Sequence, residues 1–119
     1  MGTLLAALVA VALGTGPPSY EPATERQFLG PVAETWEEKA GVVVSLHVDD
    51  EVLDVYVAPA SFLRDLEFTM EKGDRLTVLG SRVRSEGRPR VIAREVTKGS
   101  IRLILRDERG RPVWEPRRP

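Results

Sequence analysis

Few side chains in this 119-residue chain are suited to chemistry, and their spacing limits what they can do. It contains one histidine, His47, and no cysteine. His47 stands beside Asp49 and Asp50, which suggests a general base or a metal ligand. A catalytic histidine also needs a nucleophile and an orienting group, and a zinc site needs three or four ligands. Neither set can be completed here, so His47 reads as an exposed strand residue. Asp49, Asp50, Glu51 and Asp54 form an oxygen-rich cluster but lack the Asp-x-Asp-x-Asp-Gly spacing of a calcium loop. They read as a solvated turn, as do Glu67, Glu71 and Asp74. With no nucleophile-base pair, metal set or phosphate loop, the sequence implies no enzyme, no metal and no cofactor.

The arginines are the stronger candidates. Arg82, Arg84, Arg94 and Arg102 lie on successive segments of alternating pattern, where even-numbered positions can share one sheet face and bind phosphates or a sugar chain. Single-strand binding on such a surface also uses aromatic platforms, worth about 1–3 kcal/mol per base. Of the seven aromatics, only Trp114 lies near the arginines in sequence. The other aromatics are interleaved with Glu34, Glu37, Glu38 and Asp54, which repel phosphate. The formal charge of -1 conceals this division: residues 21–80 carry 13 acidic and 5 basic side chains, and residues 81–119 carry 5 acidic and 12 basic. Such a two-signed surface suits steering toward a protein partner. Val43, Val52 and Tyr56 have parity opposite to the core residues of their strands. They are expected to form an apolar strip, either covered by the Tyr20–Gln27 arm or open to a partner.

These residues must be positioned by one small domain, since the length leaves no room for two. Leu4 to Leu13 is a ten-residue apolar run, too short to span a membrane and of the length of a signal-peptide core. Ala10-Val11-Ala12 offers a cleavage site and Gly14-Thr15-Gly16 a second, so residues 1–16 read as a signal peptide and the mature chain as periplasmic or secreted, without a membrane span. Residues 17–27 read as an extended lead-in. Residues 42–48 and 52–58 alternate with period two around Asp49 and Asp50, a hairpin pattern. Leu76 to Val83, Val91 to Val96 and Ile101 to Leu105 continue the strands, with Ser85 to Pro89 as a turn. Parity breaks between Val78 and Val83, which predicts a bulge at Gly80-Ser81. Phe62, Leu63 and Leu66 after Pro59 predict one short helix.

With Phe28 to Trp36 as first strand, the order predicts an all-β fold: a small OB-like barrel of five to six strands over residues 28–114, with one short helix. Trp114 is expected to pack back on the barrel, and residues 115–119 form a polar Pro/Arg tail. The strings Val55 to Leu63, Lys72 to Val83, Ala93 to Val96 and Leu105 to Trp114 resemble small exported bacterial OB-fold proteins of the periplasmic OB-fold group. The Leu105-Arg106-Asp107-x-x-Gly110-x-Pro112-x-Trp114 pattern is the most specific part. The resemblance implies an exported barrel without catalytic activity and transfers no binding residue. The expected function is a noncatalytic accessory module docking another envelope protein, and the alternative is an oligonucleotide or oligosaccharide binder using the arginine face.

Overall fold

The structure, a computed structural model, describes residues 19–116; the expected signal peptide and the end of the Pro/Arg tail lie outside the described residues. Six strands follow one another: β1 (Glu25–Glu38), β2 (Gly41–Val48), β3 (Glu51–Ala58), β4 (Arg75–Ser85), β5 (Arg88–Lys98) and β6 (Ile101–Ile104). Helix α1 (Ala60–Asp65) connects β3 to β4. The sheet order is β3-β2-β1-β4-β5-β6, and a parallel contact of β3 with β5 closes the first five strands into a barrel. Closure removes the open edges that a sheet of this size would otherwise expose. The described residues form the predicted barrel with one short α-helix.

The first strand is longer than expected, at 14 residues, because it serves both sheets of the barrel. Glu25 to Pro31 pair with β4, whereas Val32 to Glu38 pair with β2. The chain switches partner at a bulge containing the extra residue Ala33, between Val32 and Glu34. At this crossing the sheets come close enough that any Cβ on Gly30 would collide with the carbonyl oxygen of His47. The lead-in is correspondingly shorter than the expected 17–27. It also contains a 3-10 turn at Pro22–Thr24.

The register shift expected near Gly80 is present, but the extra residue is on the partner strand. Leu79 pairs with Glu95 and Gly80 with Ala93, so Arg94 is bulged out of β5. Gly80 permits this, since a Cβ there would stand 2.5 Å from the Ile92 carbonyl oxygen.

Alternation sends Val44, Leu46, Val55, Val57, Val78, Val91 and Val96 into the core. Helix α1 follows Pro59, and its Leu63, 4% exposed, plugs one end of the barrel. The helix closes with a bond from Phe68 N–H to the Leu63 carbonyl, which places Glu67 at φ 55°. Of the alternating Ile101, Leu103 and Leu105, Leu105 is buried, Leu103 half-buried and Ile101 exposed. The strand ends one residue before Leu105, and Ile101 lies beyond the covered end of the sheet.

Candidate functional site

Antiparallel partners share a face. Trp36, Val43 and Tyr56 are register partners, and Tyr56 lies beside Ile92 across the closing contact. They therefore form one row across β1, β2, β3 and β5, on the face opposite core residues Val44 and Val55. The apolar strip expected from Val43, Val52 and Tyr56 does not form. Val43 is fully buried in this row, Tyr56 is half-buried, and Val52 is exposed at the far end of the hairpin opposite His47. Val43 is flanked in register by Trp36 and Tyr56, and the Tyr56 hydroxyl is engaged, donating to the Ala40 carbonyl at 2.8 Å. Nor does the Tyr20–Gln27 arm run over this hairpin: it is pinned at Ser81 of β4, whose hydroxyl accepts from Glu21 N–H at 2.9 Å.

The same row corrects the separation of aromatics from arginines. Closure by β5 brings Arg88 and Arg90 to the aromatic face: Arg90 donates twice to Glu38, at 2.8 and 3.1 Å, and the Trp36 indole N–H donates to the same carboxylate at 2.9 Å. Arg90 first, and then Trp36, pull the Glu38 pKa down to about 2. This cluster was invisible in the sequence, where Trp36 and Arg90 are far apart. The only available signal was shared outward parity on strands whose adjacency was unknown.

The predicted arginine face does not assemble. Arg82 is bound to Glu51 at 3.0 Å, Arg94 to Glu25 at 3.0 Å and Arg102 to Glu95 at 2.9 Å. Arg84 donates to the Gly87 carbonyl of its own turn at 2.6 Å. The four side chains thus reach β3, β1, β5 and a hairpin loop, and they do not converge. With Arg88–Asp54, Arg90–Glu38 and Lys98–Asp74, five of these pairs join a cation of the basic half to a carboxylate of the acidic half, and Arg102–Glu95 lies within the basic half.

The most enclosed of these pairs fastens the N-terminal arm. Glu25 accepts from Arg94 and, at 2.6 Å, from the Tyr20 hydroxyl. Burial would raise the Glu25 pKa, but the Tyr20 and Arg94 hydrogen bonds outweigh it and hold it below the ordinary value. Burial, followed by the bond to Glu25, pushes the Tyr20 phenol well above its usual range. Tyr20 packs on Gly110 of a C-terminal strap, residues 105–116. Within the strap, Arg106 donates to the Gly110 carbonyl at 2.8 Å and lies 5.4 Å from the Trp114 ring. Trp114 contacts the core and sits 5.2 Å from the Phe62 ring of α1, as its expected packing on the barrel requires.

A groove of about 430 Å³ lies beside α1, with a floor of Val42, Ala60, Leu63, Phe68 and Met70 and a rim that includes Thr35, Arg64 and Glu67. In the sequence Glu67 reads only as part of a solvated cluster. Among the described residues, no group of three or more His, Cys, Asp or Glu side chains is arranged to hold a metal, and His47 is exposed. No helix among them is long and apolar enough to cross a membrane.

A five-stranded closed barrel with its helix between the third and fourth strands is OB-like. A chain from the S. pombe Stn1–Ten1 complex is similar over 70% of this chain and 71% of that chain, with a TM-score of 0.55 and 16% identity. At that identity the likeness is one of fold. The model of the MamS/MamX magnetosome protein family matches residues 29–103, and the chain belongs to that family. No curated protein matches it in sequence. The matched residues run from β1 to β6, so the Leu105–Trp114 pattern that carried the resemblance to exported OB-fold proteins lies beyond them.

Proposed function

We propose that this chain is an exported, noncatalytic accessory module that docks another protein of the cell envelope. Membership of a magnetosome protein family supports an accessory role. The observation that carries the choice of partner is the neutralisation of the arginines: Arg82, Arg94 and Arg102 each hold a carboxylate of this chain. Phosphates would have to displace those carboxylates, so affinity from counterion release is reduced at each contact. The half-buried Trp36 and Tyr56 also offer less face for stacking than open platforms do.

The test is purification of the full chain from the envelope fraction of cells that carry it. One protein should co-purify at fixed stoichiometry and survive moderate salt. A chain recovered only by itself sinks this reading. Salt-dependent binding to single-stranded oligonucleotide or to oligosaccharide, lost on changing Arg82 and Arg84 to Ala, would replace it with the alternative.

A further inference from the structure

Resting on the docking reading above, we propose that the groove beside α1 is the docking site, and that its occupant is a segment of another protein combining an apolar anchor with lysine or arginine. The floor is built from five apolar side chains, Val42, Ala60, Leu63, Phe68 and Met70. Exposed Leu66, at 47%, extends the apolar surface at the helix end.

The rim selects for charge. Glu67 lines the groove, and Glu37 is the register partner of Val42 on its floor. Asp65 and Glu71 are exposed on the same segment. Among the described residues none of these four carboxylates enters an ion pair, in contrast to Glu25, Glu38, Glu51, Asp54 and Asp74. The cations at the groove are fewer: Arg64 lines it, Lys72 is exposed beside Glu71, and Lys98, which stands over the Phe68 ring and donates to the Thr69 carbonyl, is already held by Asp74. An apolar floor edged by unpaired carboxylates is complementary to a basic amphipathic segment and repels an acidic one. A second copy of this chain suits it poorly, because the cations of β4 and β5 are mostly held by carboxylates of their own barrel.

The experiment titrates the ¹⁵N-labelled full chain with three synthetic peptides: a Leu/Lys peptide of helical period, the same peptide with Glu for Lys, and one with Ser for Leu. The Leu/Lys peptide should bind and shift resonances of Thr35, Val42 and residues 60–70. The Glu and Ser peptides should bind at least tenfold more weakly. The double variant Glu37→Lys/Glu67→Lys, which changes exposed side chains only, should weaken the Leu/Lys peptide about tenfold at low salt. Equal binding of the Glu peptide, shifts confined to Trp36 and Tyr56, or an unaffected double variant would overturn the proposal. Tighter peptide binding by a chain lacking residues 117–119 would assign the groove to the chain's own basic tail. Dimerisation abolished by the double variant would assign it to a second copy. Either result also overturns the proposal. The docking reading stands or falls separately: an envelope partner retained by the double variant leaves docking intact and moves it off the groove, whereas no partner at all removes docking whatever the peptides do.

Discussion

The closing seam of the barrel and the groove at α1 treat charge in opposite ways. Along the seam, carboxylates of β1 and β3 are met by arginines of β4 and β5, and the charge of both halves is spent inside the domain. Around the groove, Glu37 and Glu67 have no such partner among the described residues: Lys98 of β5, which reaches the groove at Phe68 and Thr69, is held by Asp74. Clustered charge in a sequence is therefore available for recognition only where the fold leaves it unmatched. The abundant arginines are less informative here than a few glutamates.

The contrast breaks most readily at the enclosed end of the seam. Glu25→Gln should destabilise the domain by about 2 kcal/mol in urea unfolding, since it leaves Arg94 half-buried with its charge uncompensated and weakens the Tyr20 contact. Tyr20→Phe should cost about 1 kcal/mol, with most of the change in N-terminal proteolysis rates.

Next in size is the titration of Glu38. Its folded pKa of about 2 lies below the ordinary value of 4.5, so its contribution is complete above that ordinary value and is lost as pH falls toward 2. Its side chain is 36% exposed, and screening should keep the contribution near 1 kcal/mol. Glu38→Gln should remove that part of the pH dependence, which unfolding curves between pH 5 and pH 2 will show.

On the unpaired side the expected sign reverses. Glu67→Gly relieves a positive φ at the helix end and should stabilise by about 0.5–1 kcal/mol, while weakening the groove's hold on a basic peptide. The smallest effect belongs to the mouth of the barrel. Arg82→Ala should change stability by no more than about 0.5 kcal/mol, since both partners are well exposed.

Much of the fold was legible because strands and turns are written locally. The 42–48 and 52–58 alternation, the Pro59 helix start and the Gly80 irregularity were each readable within a few residues and correspond to real elements. The position of the bulge on β5 was less legible, since an extra residue on either strand produces the same parity break. Val43 shows where the site reading failed. Opposite parity predicts exposure, but Val43 is fully buried within the row of Trp36, Tyr56 and Ile92 on the outer face of the closed barrel. The groove left almost no signal, because Val42, Leu63 and Met70 read as ordinary core residues.

The sequence by itself determined the succession of strands along the chain, the helix, the division of charge and the compatibility of the whole with an OB-like barrel. Each follows from side-chain period, turn chemistry or a count. Only the tertiary structure decided which arginine meets which carboxylate, which apolar side chains are covered and where acidity remains unmatched. Those outcomes depend on contacts such as Tyr56 with Ile92 and Glu25 with Arg94. Coulomb attraction and desolvation act over a few ångströms of space, so neither can be read from positions separated by dozens of residues until the barrel closes.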